Sequence, residues 1–315
     1  MPMHALAAPD PSAITARNAL FIALGLLAIG FLVVLVKALW MRAAAGEQIK
    51  TPMRIWVVSF IATFFDTLGI GSFATTTSMF RTWRLVPDQR IPGTLNVGYV
   101  LPTVAQAYIY TTIVSVDTTT LILMITSSVL GAWLGAGIVS SWPRRKVQIG
   151  MGFCLLAAAT LFTLSQLHIT PAGGDLLKLT DVRLTVAVLG NFLLGALMTL
   201  GIGLYGPCMI LISLLGMNPI AAFPIMMGSC AFLMPVASVR FLRTGGFDAK
   251  AIVGMTLAGL PAVLIAAFVV KKLPLYWVWW LVIIVVIYTA ISLLRAARRE
   301  SGITSKTIAA EAQPV

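Results

Sequence analysis

The chain has 315 residues, 59% of them hydrophobic and only 10% charged, with a mean hydropathy of +0.97. A soluble domain carries about a quarter charged residues, so a water-soluble globule is excluded and lipid is the implied solvent. The net charge of +12 sits in short loops beside apolar runs rather than on a polar face interleaved with aromatics, which sets nucleic-acid binding aside.

In chain order, residues 1–18 read as an N-terminal tail and 19–41 as an extra transmembrane helix. Arg17 before it and Ala43, Ala44 and Ala45 behind it resemble a signal peptide, but the apolar core is too long and Arg42 follows at once, so an uncleaved span is expected. A first transporter repeat is read over 55–167. It holds an interrupted segment at 55–80 and spans near 95–116, 119–141 and 147–167. A second repeat is read over 184–295, with an interrupted segment at 184–217 and spans near 219–239, 250–270 and 275–294. Residues 296–315 form a cytoplasmic tail. Each span is long enough to cross about 30 Å of hydrocarbon at 1.5 Å per residue. The fold class is therefore an all-α polytopic membrane protein: two inverted repeats, each a re-entrant or broken helix plus three transmembrane helices, behind one extra N-terminal helix.

The interruptions are Asp66-Thr67-Leu68-Gly69-Ile70-Gly71-Ser72 and Leu200-Gly201-Ile202-Gly203-Leu204-Tyr205-Gly206-Pro207. Glycine and proline break a helix through backbone freedom and a missing donor. The basic residues choose between re-entrant hairpins and crossing helices. If both segments return to their own side and the N-terminus is outside, fifteen Lys and Arg face the cytoplasm and five do not; if both cross, the balance is nine against eleven. The positive-inside rule favours the re-entrant arrangement, with a cytoplasmic C-terminus.

The string Leu-Gly-Ile-Gly occurs at 68–71 and again 132 residues later, Asp117 and Pro143 recur as Asp248 and Pro274 at an offset of 131, and Gly98 recurs as Gly228 at 130. Three spans is an odd number, so the second copy is expected upside down. Paired glycine-interrupted segments in inverted copies point to a secondary transporter with its site near the midplane. Gly131, Gly135 and Gly137, in an unbroken span, read instead as sites of close helix packing.

Of ten carboxylates, only Asp66 lies well inside an apolar segment. An ionised acid there costs several kcal/mol unless paired or wet, so Asp66 is the candidate for proton coupling. The plainer role is that of a cap for the second half-helix. After the break, Gly69, Gly71, Ser72, Thr75 and Thr76, with Thr77 beside them, surround a half-helix start whose N–H groups and dipole suit a small oxyanion. Gly201, Gly203, Tyr205, Gly206 and Cys208 occupy the equivalent place in the second copy, with Pro207 at an early helical position. Asn96, Gly98 and Ser229 complete the candidate substrate-binding set; Asn96, Gln106 and Asn191 are the interior amides, for which substrate contact and helix bridging stay open. Trp277, Trp279 and Trp280 read as an interfacial belt.

Cys154, Cys208 and Cys230 lie in apolar runs without CxxC spacing, and His4 and His168 in a tail and a loop, so no metal centre or cofactor is expected. Neither a nucleophile–base pair nor a phosphate loop is present, and the chain is expected to be neither an enzyme nor ATP-driven.

The stretch Phe64 to Ala74, continuing through Val86-Pro87-Asp88 and Pro92 to Gly98, together with the second motif Gly201 to Pro207, resembles the TauE/SafE sulfite exporter family, also called TSUP. The resemblance spans nearly all of 55–295. It implies a bacterial inner-membrane carrier exporting sulfite or sulfonates such as sulfoacetate, coupled to an ion gradient. Many members have consecutive glycines where this chain has Gly71-Ser72-Phe73, so the substrate transfers less directly than the fold. A small anion and the bilayer are the expected partners, and homo-oligomer formation is left open. The alternatives are a cation or metal-ion transporter with Asp66 as ligand, and a non-transporting membrane subunit or intramembrane enzyme.

Overall fold

The structure is a computed structural model that describes residues 11–69, 71–87, 90–138, 174–198 and 203–270, with individual helical positions between 145 and 167 and between 280 and 299. Among the described residues the main helices are α1 (Pro11–Ala44), α2 (Met53–Thr67), α3 (Ser72–Thr82), α4 (Ile91–Gly98), α5 (Val100–Ile113), α6 (Thr118–Ile138), α7 (Asp181–Met198), α8 (Tyr205–Leu214), α9 (Ala222–Thr244) and α10 (Ala249–Val270). Among the described residues, four stretches, Thr15–Ala44, Asp181–Met198, Pro219–Thr244 and Ala249–Phe268, are long and apolar enough to cross a membrane. The chain is an all-α membrane protein.

Helix α1 begins eight residues before the expected span, with Pro11 in the first helical position, where a missing N–H costs nothing. Ile22, Leu26, Ile29, Val33 and Trp40 project from it into the surroundings. Helix α2 inverts the pattern of a soluble protein. Ser59, Thr63, Asp66 and Thr67 share its buried stripe, while Val57 and Ile61 face outward. Such a helix keeps its polar atoms from lipid and pushes its methyl groups into it.

Long-range hydrogen bonds gather the helix ends at two places. At one end, the Thr51 hydroxyl donates to Lys250 O (2.6 Å) and Asp248 N–H to Thr94 Oγ1 (2.9 Å), so the starts of α2, α4 and α10 meet there. Arg42 closes the same corner by donating to Gly245 O (3.0 Å) and stacking over the Phe247 ring. At the other end, Asn218 N–H donates to Leu176 O and Asp117 N–H to Leu177 O, each at 2.9 Å, while the Thr120 hydroxyl accepts from Leu179 N–H at 3.3 Å. These bonds gather the starts of α6 and α7 and the chain just beyond α8. Helix α9, 23 residues or about 34 Å long, begins beside Asn218 and ends at Gly245, and so joins the two ends. Helix α7 is long enough to cross, and the Asn218–Leu176 bond places the chain just after α8 beside the chain just before α7.

Helices α6 and α10 are capped alike: Asp117 Oδ2 accepts from Thr120 N–H (2.9 Å) and Asp248 Oδ1 from Ala251 N–H (3.0 Å). The α6–α7 contact depends on glycine. A Cβ on Gly131 would lie 1.9 Å from Phe192 O, and one on Gly195 would lie 2.1 Å from Ser128 O. Such backbone-to-backbone approach is what small residues permit. The surroundings of Gly135 and Gly137, the prolines Pro143 and Pro274, and Cys154 lie outside the described residues.

One expected span is split. The run 95–116 is divided at Tyr99 into α4 and α5. Pro102 brings no N–H to the Gly98 carbonyl, and the Thr256 hydroxyl of α10 donates to it instead at 3.1 Å. Composition reports that a segment is apolar enough to cross; it does not report which carbonyl a proline will orphan.

Candidate functional site

The first helix break is built by its own turn. Helix α2 closes through Leu68 N–H to Phe65 O (3.0 Å) and Gly69 N–H to Asp66 O (2.9 Å). Gly69 and Gly71 then take φ of +91° and +83°, a region where a side chain is strained. The chain reverses within a few residues and α3 starts at Ser72.

Asp66 is buried at this turn, and its two oxygens have separate partners. Oδ1 accepts the Ser72 backbone N–H at the start of α3; Oδ2 accepts from Gln106 Nε2 at 3.0 Å. The expected free N–H at the α3 start is therefore taken by the protein's own carboxylate, in the manner of an N-cap. The plainer of the two roles read from the sequence is present, and it makes Asp66 a built-in occupant of the place proposed for an anion.

Gln106 of α5 sits at the centre of the network. Besides Asp66, its Nε2 donates to Thr67 Oγ1 (2.9 Å), and its Oε1 accepts from the Tyr205 hydroxyl of α8 (2.7 Å). The Tyr110 hydroxyl donates to Thr67 O (2.7 Å), and Thr76 is hydrogen-bonded to the Tyr99 hydroxyl. Asp66, Thr67, Gln106 and Tyr205 are each 4% exposed or less. A buried hydroxyl or amide in an apolar medium must find a partner, and here they find one another.

The second break lies against the first. The position of a Cβ on Gly71 would be 3.8 Å from Tyr205 Cβ, and that of one on Gly203 would be 3.7 Å from Phe73 Cβ. Gly69 is pressed by Met209 Cε of α8 and Phe223 Cζ of α9, each 3.0 Å from where its Cβ would stand. The starts of α3 and α8 thus converge, although Gly201 itself lies outside the described residues. Pro207 is the third residue of α8, as its chemistry asks.

The structure brings together Asp66, Gly69, Gly71, Ser72, Thr76, Gly203 and Tyr205. Cys208 is buried in α8, its N–H held by Leu204 O, and Gly206 lies half-buried beside it. Thr75 turns its hydroxyl back toward Gly71 O at 3.4 Å. Three candidates make their contacts elsewhere. Asn96 donates through its side chain to Pro92 O and accepts at its backbone carbonyl from Ser238 of α9; Gly98 packs on Met255 of α10; and Ser229 accepts from Asn191, which also bonds Met124 O. These join helices. Tyr99, Tyr110 and Thr67 escaped the sequence reading, though a tyrosine inside an apolar run is itself a sign that its hydroxyl has a buried partner.

Comparisons with protein-family models, with characterised proteins and with solved structures returned no match.

Proposed function

We propose that the chain is a secondary transporter of small oxyanions, built from two inverted repeats whose broken helices enter the membrane from opposite faces. The observation that carries the reading is the meeting of the breaks: Gly71 lies against Tyr205, and Gly203 against Phe73, 132 residues from their counterparts in each case. Two elements that exchange contacts in this way are related by a two-fold axis between them.

The element bounds support the same relation. Shifted by 131, the span of α4 and α5 from Ile91 to Ile113 falls on α9, and the start of α6 falls on the start of α10. Helix α2 packs on α10 as α6 packs on α7. Helices α2 and α10 start at one end of the bundle, α7 and α6 at the other, so the two copies run in opposite directions. Arg42, Lys50, Arg243 and Lys250 lie at or next to the first end, which the positive-inside rule makes cytoplasmic.

In this reading an anion binds between the α3 and α8 starts by displacing the Asp66 carboxylate from the Ser72 N–H. A proton taken up by Asp66 removes the competing charge, which couples anion movement to a proton gradient. Sulfite and sulfonates are the proposed cargo on the strength of the motif resemblance, in a bacterial inner membrane.

Flux into proteoliposomes of sulfite, a sulfonate and a divalent cation tests the reading. Sulfite or sulfonate flux driven by a pH gradient is expected, with Asp66→Asn falling to the level of empty vesicles while remaining folded. Gradient-driven flux of the cation alone would overturn the anion reading, and full coupled flux in Asp66→Asn would remove the acid from it. Reporters fused near residues 86 and 145 are both expected to read cytoplasmic.

A further inference from the structure

We infer that Gln106 is a positioning residue that transmits the protonation state of Asp66 to the Tyr205 hydroxyl on the other broken segment. The inference takes its purpose from the transporter reading, but its chemistry stands on the hydrogen bonds alone.

The orientation of the Gln106 amide is determined from two sides. The Thr67 hydroxyl already donates to Thr63 O at 2.8 Å, so toward Gln106 it can only accept. An ionised Asp66 has no proton to give and can also only accept. Both N–H bonds of Nε2 are therefore committed, one to Thr67 Oγ1 at 2.9 Å and one to Asp66 Oδ2 at 3.0 Å. That leaves Oε1 directed at Tyr205, whose hydroxyl donates to it at 2.7 Å. With Asp66 ionised, Tyr205 is a donor.

A proton from the aqueous phase changes each of these bonds in turn. Asp66 Oδ1 is held by the Ser72 backbone N–H, which cannot reverse, so the proton adds to Oδ2. Oδ2–H then faces Nε2–H, donor against donor. In this buried site the conflict is relieved by turning the amide over. Oε1 now accepts from Asp66 Oδ2–H and from the Thr67 hydroxyl, which releases Thr63 O. The Nε2 group faces Tyr205, and Tyr205 becomes an acceptor. One proton on α2 thus reverses the direction of a hydrogen bond on α8, with no charge crossing between them. The titratable groups acting on this centre from the packed elements, among the described residues, are Tyr99, Tyr110, Tyr205, Cys208 and Cys230, all neutral at neutral pH at their ordinary values.

This gives the two halves a means of reporting to each other. Gln106 stands on α5, which belongs to neither broken segment, yet it touches Asp66 and Thr67 on one side and Tyr205 on the other. A two-state hydrogen-bonded element biased at both ends is the physical form that coupling between sites requires.

The test uses the full-length protein in liposomes and pH-difference infrared spectroscopy, so that it does not depend on transport. The Asp66 carboxyl band is assigned by its loss in Asp66→Asn, and the Tyr205 C–O band by its loss in Tyr205→Phe. In the wild type the Tyr205 band is expected to switch from its donor to its acceptor position with the same midpoint pH as Asp66. In Gln106→Leu, or Gln106→Met should the first not fold, Asp66 still titrates and the Tyr205 switch is lost. A Tyr205 band that stays constant in the wild type, or that still follows Asp66 without Gln106, overturns the inference. A wild type that shows the linked switch but moves neither sulfite nor a sulfonate supports the relay and overturns the oxyanion-transporter reading instead. Where sulfite is moved, Gln106→Leu is expected to lose gradient-driven accumulation.

Discussion

Asp66, Thr76 and Tyr99 surround the first helix break; 132, 132 and 131 residues further on, the chain places Met198, Cys208 and Cys230 beside the second. All six are buried. Around the first break, oxygen bonds oxygen: Thr76 with the Tyr99 hydroxyl, and Asp66 with Ser72 and Gln106. Around the second, Cys230 Sγ approaches Met198 Sδ at 3.4 Å. In the proposed pair of repeats the backbone frame recurs and the chemistry does not. One half is equipped to hold a proton and a charge, the other to fill space with soft, weakly polar atoms. A carrier of this build would have one protonatable centre, shared through Gln106, rather than one in each half.

The contrast is most sharply tested by moving the acid. Met198→Asp places a carboxyl in the second half without the Ser72 N–H or the Gln106 amide, and an unpartnered buried charge costs about 3–5 kcal/mol. Thermal unfolding in detergent is expected to show a loss of that order, and a variant as stable as the wild type would mean that the second half holds hidden partners for an acid. Next in size is a comparison of the two cross-packed helix pairs. Gly131→Ala drives a Cβ to 1.9 Å from the Phe192 backbone oxygen, which cannot yield, and about 3 kcal/mol is expected to be lost. Gly254→Ala at the α2–α10 contact meets the Thr51 Cγ2 methyl at 2.6 Å. That side chain can move, and the loss is expected to be about 1 kcal/mol. Equal losses would show the two pairs to be packed alike. Smallest is Thr76→Val, which keeps the shape and deletes the bond to Tyr99; about 1 kcal/mol is expected from unfolding, against no measurable change for Cys208→Ala beyond its lost volume.

Much of the architecture is legible from residues alone because its causes are local. Apolar runs of about twenty residues, the two glycine clusters and a single intramembrane acid are properties of neighbouring positions, and hydrocarbon enforces them wherever they occur. Two things depended on partners far apart in the chain. The split at Tyr99 reflects Pro102 together with Thr256, 154 residues away, which supplies the donor that the proline lacks. The standing of Gln106 above Asn96 and Asn191 could not be ranked from composition, since all three are buried amides in apolar helices. Asn96 and Asn191 satisfy their donors on helix carbonyls and a serine, whereas Gln106 meets an acid and a phenol from opposite breaks. Hydropathy and spacing state what a side chain needs; only the converging chain decides which group supplies it.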